Sequence, residues 1–374
     1  MKKKFFLLSA FLFLFIILYF WAFNKPKDIT LNLMILGVNK EKVKSLANSY
    51  TEKTGIKVNV EEAKYFNFIS ELEEMKKRKE KIPDIFVAIN DQIPPLVEKD
   101  VIIPIDKNEI IENMPLAIDS VKYNGQYYGY PFQFETTYIF YNKDYIKNIP
   151  DSFEALLKEA KDIEEKNSGK IYGILFPIDE YYYHYIWLTY TGGSLDNMLS
   201  PTGDSKSALI KELKFAKENF KYSNYATTTA LFKDGKAAVM INGNWAFPFL
   251  QEVNFKYDYT ILNDKANYFA GIKSFVISKS SENIEEAKKF ARFLTSYKSQ
   301  KSMESVIDYI PCNDSAINES KNPALSRIKG SLDKLKLMPN DSRLKDFWLK
   351  SNSMLIRVFK NGEEIEAVVN DIFK

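Results

Sequence analysis

The chain has 374 residues, more than one hydrophobic core usually supports, so two domains of ordinary size are expected. Its 52 basic and 49 acidic residues give a net charge of +3, which is not the single-sign field that recruits nucleic acid. One cysteine and one histidine exclude a disulfide framework and a cysteine-rich zinc site. They leave His184 as the only imidazole base for a catalytic triad, and Cys312 is expected to be a small packed residue.

Aromatic residues make up 15% of the chain, and several of the 23 tyrosines and 28 phenylalanines lie in polar, loop-like contexts. A pyranose ring presents flat C–H faces that pack on aromatic rings and a rim of hydroxyls that need hydrogen-bond partners. Aromatics beside acids and amides therefore favour a carbohydrate site. For any single phenylalanine, a place in the core is the better interpretation.

Residues 1–27 are predicted to be a signal peptide or an N-terminal membrane anchor. Three lysines at positions 2–4 precede an uninterrupted apolar run of 19 residues, from 5 to 23, after which the sequence turns polar. This length is close to the ~20 residues that span a bilayer as a helix. No small-x-small cleavage pattern is evident, since Phe20 lies two places before Ala22. The basic flank places residue 28 onward outside the cytoplasm.

Alternating strands and helices are predicted after residue 28. Residues 30–36 and 57–60 are typical of strands, and residues 41–53 between them are typical of a helix. The mixed-charge residues 71–81 predict a solvent-exposed helix face. Residues 85–89 form a short apolar run of the kind found in a strand buried on both faces. This order predicts βαβ units.

Two more packed helices are predicted further along. Asp151 and Ser152 are typical of a helix start, and an apolar stripe follows over residues 153–163. A similar stripe over residues 284–297 follows the strand-like residues 275–277. No internal repeat and no Gly/Ser-rich or Pro-rich linker divides the chain. A chain with two lobes and no linker is expected to cross between them more than once.

Signatures of nucleotide binding and of common hydrolases are missing from the sequence, which has no GxxxxGK[ST], no GxGxxG after a strand, no GxSxG and no HExxH. This argues against an enzyme. Six other segments occur in the order in which one known family carries them. They are GIKVNVE at 55–61, PDI at 83–85, YNG at 123–125 leading to YP at 130–131 and Glu135, YNKD at 141–144, FKDGKAA at 232–238 through INGNW at 241–245, and MPN at 338–340 with FW at 347–348. From Thr30 to its end, the sequence resembles the sugar-binding subunits of ABC importers, most closely the maltose/maltodextrin-binding protein family.

The resemblance implies an α/β periplasmic-binding-protein fold of type II, a two-lobed Venus flytrap in which each lobe is a doubly wound sheet with flanking helices. One lobe is expected to comprise residues 28–132 and 274–312, and the other residues 133–273 and 313–374. The implied function is that of the substrate-binding subunit of an ABC transporter, which captures a small maltodextrin-like oligosaccharide outside the cytoplasmic membrane and delivers it to the permease subunits. Such a protein is expected to be a monomer, not an enzyme, and to need no cofactor and no metal.

The resemblance also implies which residues contact the sugar, in a cleft between the carboxyl ends of strands from both lobes. In the first half of the chain, Asn39 and Lys40 follow the first strand, Asp91 follows the buried strand, and Glu135 follows the first crossing between lobes. From the sequence alone, Asn39 and Lys40 are also typical of an exposed turn. Carboxylates suit a neutral sugar because hydrogen bonds from hydroxyls to charged groups contribute roughly 1.5–3 kcal/mol each.

The other implied contacts are one acid and four aromatic residues later in the chain. They are Glu180, Tyr182, Tyr185, Trp245 and Trp348. The two tryptophans match family residues that stack on sugar rings, and Tyr181 stands where the family has a proline between the acid and the tyrosine. His184 is interpreted as ordinary packing.

Four positions depart from the maltose binders. Ala88 stands where they carry a tryptophan, Gln92 where they have an arginine, and Leu349 and Asn352 replace a tyrosine and an arginine. Fewer sugar subsites are therefore expected, so the ligand need not be maltose itself.

Two other functions stay open at this point. A secreted carbohydrate-active enzyme would use Asp91, Glu135 or Glu180 as a carboxylate pair, at a separation of roughly 5–9.5 Å across the scissile bond. An anchored sensory receptor of the same fold would need a separate signalling partner.

Overall fold

The computed structural model describes residues 29–64 and 68–374. The predicted signal peptide or anchor over residues 1–27 lies outside this part of the chain. Within the described ranges, no helix combines the length and the apolar character that crossing a membrane requires.

Strands and helices alternate along the chain. The strands in the described residues are β1 (Thr30–Ile35), β2 (Lys57–Glu62), β3 (Ile85–Ile89), β4 (Lys122–Tyr123), β5 (Gln126–Tyr127), β6 (Tyr130–Asn142), β7 (Tyr172–Leu175), β8 (Ala237–Gly243), β9 (Tyr257–Thr260), β10 (Tyr268–Ile277) and β11 (Leu335–Leu337). The α-helices are α1 (Lys40–Thr54), α2 (Phe68–Arg78), α3 (Ile93–Glu98), α4 (Pro115–Ser120), α5 (Phe153–Lys166), α6 (Tyr181–Tyr190), α7 (Leu195–Leu199), α8 (Asp204–Asn219), α9 (Tyr225–Lys233), α10 (Ile284–Thr295), α11 (Tyr297–Ser302), α12 (Asp314–Glu319), α13 (Pro323–Lys329), α14 (Arg343–Leu355) and α15 (Ile365–Ile372). Short 3-10 helices cover Asn90–Gln92, Lys107–Glu109, Asn244–Leu250, Met303–Ser305 and Leu332–Lys334, and a π-helical stretch covers Ile356–Lys360.

Local sequence explains where the helices begin and end. The side chain of Asn39 accepts a hydrogen bond from the backbone N–H of Lys42 at 3.0 Å, which starts α1, and the helix ends at Gly55 with φ of 75°. Helix α5 follows Ser152, whose hydroxyl accepts from the N–H of Ala155 at 3.3 Å. The helix start predicted at Ser152 is confirmed.

The prediction that residues 71–81 form an exposed helix face is wrong for Glu71. Helix α2 ends at Arg78, and the side chain of Glu71 is buried. Its carboxylate accepts from the backbone N–H of Lys64 at 2.8 Å and from Arg78 at 3.3 Å. A carboxylate with such partners can be buried, because hydrogen bonds to the ionised group replace the hydration that it loses.

Nine strands form one mixed sheet in the described part of the chain. The order is β2-β1-β3-β10-β6-β8-β7, with β11 beside β10 and β9 beside β6. Strand β1 is parallel to β2 and β3, and β8 is parallel to β7, as expected where helices connect the strands. Strand β10 is antiparallel to β3 and β6, and β6 is antiparallel to β8, so β10 and β6 together join the two parallel parts.

Hydrophobic side chains pack on this sheet in three clusters. The first is built mainly from residues 31–132 with 275–309, and the second mainly from residues 134–272 with 310–335. The third joins α6 and α8 to the C-terminal helices. The chain passes between the first two clusters within β6 and again within β10, which pair with each other, so no flexible linker is needed. The residues at which each lobe begins and ends stay predictions.

Candidate functional site

Four aromatic side chains contact one another and form an aromatic wall. The ring of Tyr182, at the start of α6, lies 5.7 Å from Phe269 and 5.8 Å from Trp245. The ring of Trp348 lies edge-on to Phe269 at 6.1 Å. Tyr182, Trp245 and Trp348 are all half-buried. Their positions bring together α6, the turn after β8, and α14.

The position of Trp245 depends on the glycine that ends β8. Strand β8 runs to Gly243, and the 3-10 helix that follows places Trp245 back over that residue. A Cβ atom on Gly243 would run into the indole ring of Trp245. The missing side chain at Gly243 in the NGNW turn therefore allows the indole of Trp245 to pack on the end of β8.

Asp91 lies in the 3-10 turn that follows β3 and reaches across to α14. Its Oδ2 accepts a hydrogen bond from Nε1 of Trp348 at 3.2 Å. Burial raises the pKa of Asp91 to about 6, and this hydrogen bond opposes the rise. Within the described residues, its Oδ1 is buried and has no hydrogen-bond partner, so one acceptor of this carboxylate is unused.

Glu135 lies inside β6 and is buried beside a lysine from the neighbouring strand. Its Oε1 accepts a hydrogen bond from Nζ of Lys273, which also donates to the carbonyl oxygen of Gly37 at 2.6 Å. Burial raises the pKa of Glu135, the Lys273 ammonium lowers it, and the Asp308 carboxylate raises it further. Within the described part of the chain, only Oε1 of Glu135 accepts a side-chain hydrogen bond, so the second carboxylate oxygen can accept one from a ligand.

Glu180 precedes α6 and lies half-buried beside Asp179. Burial raises the pKa of Glu180 to about 7, and the Asp179 carboxylate adds to the rise. The side chain does not cap the helix that follows it. A carboxylate held in this way is easily stabilised by a ligand that brings hydroxyl donors.

Direct contacts connect the aromatic wall to Asp91, because Tyr182 contacts Phe269, Phe269 contacts Trp348, and Trp348 donates to Asp91. Burial raises the pKa of the Tyr182 phenol well above its ordinary value, and the Glu135 and Asp91 carboxylates both add to the rise. The structure therefore gathers Asp91, Glu135, Tyr182, Trp245 and Trp348 around one place.

Three predicted contacts have other roles in this structure. Tyr185 is 2% exposed, with its ring stacked on Phe269 at 3.7 Å, so it supports the aromatic wall from behind. The exposed Asn39 caps α1, and Nζ of Lys40 lies 4.0 Å from Glu62. Contacts between these three residues and a sugar stay predictions.

His184 is packed, as interpreted from the sequence. It is fully buried, and its Nδ1 and Nε2 lie 2.7 Å from Glu212 and 2.9 Å from the carbonyl oxygen of Ile178. Both ring nitrogens are thus engaged by the protein itself.

Sequence reasoning missed Phe269 and Lys273, although β10 carries a signal for the second. Lys273 is the single charged residue in the ten-residue strand YFAGIKSFVI, and a lysine inside a buried strand requires a partner. Phe269 has no such signal, because a phenylalanine in a buried strand is ordinary core.

Two surface depressions lie outside this group of residues. One, of about 450 Å³, is lined by residues 122–125 and 340–342, and the other, of about 340 Å³, is lined by residues 95, 98–99, 342–343 and 345–346. Neither contains a predicted contact residue. No cluster of His, Cys, Asp or Glu within the described ranges is arranged to hold a metal ion.

Comparisons with known proteins identify the family of this chain. Residues 45–327 match the family model described as bacterial extracellular solute-binding protein. The chain is 26% identical over 310 residues to the maltotriose-binding protein of Pyrococcus abyssi, with 77% of this chain and 68% of that one covered. It is 24% identical over 357 residues to a maltooligosaccharide ABC transporter solute-binding lipoprotein of Streptococcus pneumoniae, with 89% and 84% covered.

The fold is also similar to that of a solved structure. The maltotriose binding protein of Thermus thermophilus, bound with maltotriose, superposes with a TM-score of 0.78 at 20% identity, covering 92% of this chain and 98% of that one. This similarity confirms the two-lobed α/β fold expected from the sequence. Since the family match spans most of the chain, the protein belongs to the bacterial extracellular solute-binding proteins.

Proposed function

We propose that this protein is the substrate-binding subunit of an ABC importer and that its ligand is a small maltooligosaccharide. The names of the relatives from Pyrococcus abyssi and Streptococcus pneumoniae support this class of ligand. In this proposal the protein works outside the cytoplasmic membrane, as a monomer anchored or released at its N-terminus, and hands the sugar to permease subunits in the membrane.

The observation that carries the proposal is that aromatic side chains and carboxylates lie close together in the candidate site. Trp245, Tyr182 and Trp348 offer flat surfaces for the C–H faces of glucose units. Asp91 offers a buried oxygen without a partner among the described residues, and the Glu135 carboxylate adds to the raised pKa of the Tyr182 phenol. This combination suits the alternating apolar faces and hydroxyl rim of a neutral sugar.

The elements that carry these groups support capture by closure. Asp91 follows β3 in the first hydrophobic cluster, whereas Trp348 lies on α14 in the third. Their 3.2 Å hydrogen bond holds these two parts together. A sugar that contacts both parts would favour the closed form, which is the form presented to the permease.

The proposal includes no catalysis, cofactor or metal. A glycosidase would need a general acid, and the raised pKa values of Asp91 and Glu180 make that alternative worth testing. Against it, Asp91 accepts from Trp348, and Glu135 is tied to Lys273. Both side chains are thus held by structural partners.

The test is calorimetric titration of the full-length protein with maltose, maltotriose, maltotetraose and a galactose-based trisaccharide. We expect dissociation constants of about 1 μM for the longer glucose oligomers, which is near −8.2 kcal/mol, and weaker binding of maltose. Mass spectrometry of the recovered sugar should find it intact after hours. No binding of any glucose oligomer would refute the proposal. Cleaved sugar that disappears in Glu180→Gln would establish a hydrolase instead.

A further inference from the structure

Lys273 occupies a position where a charge is unexpected. It lies inside β10, one of the two strands shared by the first two hydrophobic clusters, and its side chain is buried. The pairing of β10 with β6 shifts register between Lys273 and Ser274. Such an irregularity locally bends a strand and redirects its side chains.

The ammonium of Lys273 connects chain segments that are far apart in the sequence. It donates to Glu135 in β6 and to the carbonyl oxygen of Gly37, at 2.6 Å, in the turn after β1. Its charge also lowers the pKa of Asp308, which burial raises. Lys273 is therefore the shared counter-charge of two carboxylates and the anchor of a backbone turn.

Glu135 depends on this cation for its charge. A buried carboxylate loses its hydration and takes up a proton unless a counter-charge or hydrogen bonds replace the water. Lys273 supplies both through a single contact. The other charged and titratable groups that interact electrostatically with Glu135 are Asp308 and Tyr182, and Asp91 interacts with the same phenol. None of these is a cation, so they cannot take the place of Lys273.

We propose that Lys273 is a positioning residue of the ligand site, which keeps Glu135 ionised and oriented toward the ligand and ties it to the Gly37 turn of the first lobe. This inference rests on the proposed function, because it assumes that Glu135 accepts hydrogen bonds from sugar hydroxyls. It follows that charge removal at Lys273 acts on binding through Glu135.

The test compares Lys273→Met, Lys273→Arg, Glu135→Gln and the double variant Lys273→Met/Glu135→Gln with the wild type, all as full-length protein. Methionine keeps the unbranched length of lysine without its charge, and arginine keeps the charge. The two readouts are the dissociation constant for maltotriose between about pH 6 and about pH 9, and the melting temperature without sugar. Asp91 and Glu180 titrate in every variant, so only differences from the wild type are interpreted.

We expect Lys273→Met to weaken binding at least about tenfold at pH 7, because a hydrogen bond to an ionised group becomes one to a neutral group. Affinity should recover toward pH 9 as Glu135 loses its proton, and Lys273→Arg should keep the wild-type pH profile. In the Glu135→Gln background, Lys273→Met should change affinity by less than about twofold. The double variant should also melt higher than Lys273→Met alone, because it no longer buries an unpaired carboxyl group.

Equal losses of affinity from Lys273→Met in both backgrounds, or a loss that does not depend on pH, would overturn the inference. If Lys273→Met does not fold, the comparison of Glu135→Gln with the double variant decides, and a further loss of affinity in the double variant overturns it. A wild-type protein that binds none of the glucose oligomers refutes the proposed function and this inference with it. Wild-type binding that is unaffected by Lys273→Met refutes this inference alone.

Discussion

Replacing Glu180 by glutamine should stabilise the sugar-free protein at alkaline pH. Burial, with a contribution from Asp179, raises the pKa of Glu180 from 4.5 to about 7. Between these values the folded protein holds a proton that the unfolded chain releases, so the Glu180 contribution to stability falls as pH rises through this window. At about 1.36 kcal/mol per pKa unit the full loss is about 3 kcal/mol, and we expect about 1–3 kcal/mol because this group is only half-buried.

Glutamine is neutral at every pH, so the free energy of unfolding of the Glu180→Gln variant does not fall as Glu180 would lose its proton. The free energy of unfolding from urea titrations without sugar should exceed that of wild type at about pH 8 and approach it near about pH 4. The matched control is Glu218→Gln on α8, an exposed position that should change little at either pH. A Glu180→Gln variant less stable than wild type at about pH 8, or a difference of the same size at both pH values, would refute the reasoning.

Three other predictions concern the stacking residues, the lobes and the N-terminus. Trp245→Ala and Trp348→Ala should each weaken maltotriose binding about tenfold or more, since buried aromatic contacts in interfaces typically contribute ~2 kcal/mol or more. Both should lower the melting temperature far less than Trp187→Ala, because Trp187 is fully buried and its truncation costs ~3–5 kcal/mol; similar losses in all three would assign the first two to the core. Sugar should reduce the radius of gyration in small-angle scattering as the lobes close, and an unchanged profile at saturation would contradict closure. The intact mass of the membrane-associated protein should include residues 5–23 in part of the population, whereas a single N-terminus between residues 23 and 28 would exclude the anchor.

The elements that depend on local sequence could be predicted. The strand predicted over residues 85–89 is β3, and the helix predicted over 41–53 is α1, extended by one residue at each end. The helical pattern and the short apolar run carry this information, because each lies within a single element. The predicted strand at 57–60 continues for two more residues as β2, because pairing with β1 extends it.

The contacts that complete the site could not be predicted in the same way. Glu135 and Lys273 are separated by 138 residues, and Asp91 and Trp348 by 257. Such pairs depend on strand order and register, which a single sequence does not reveal. Tyr185 illustrates the limit within one helix, because a tyrosine that faces the cleft and one that stacks behind Phe269 look alike in the sequence.

The paired strands β6 and β10 also keep the two groups of candidate contact residues, around Asp91 and around Trp348, within reach of the same ligand. Because the hydrogen bonds between them run through both parts of the molecule, the group around Asp91 cannot diffuse away from the group around Trp348. If the proposed function is correct, a sugar bound to one group meets the other as a tethered partner, at an effective concentration set by the reach of the strands. Loosening these strands, for example with glycines, should make the sugar leave faster even if every contact residue is intact.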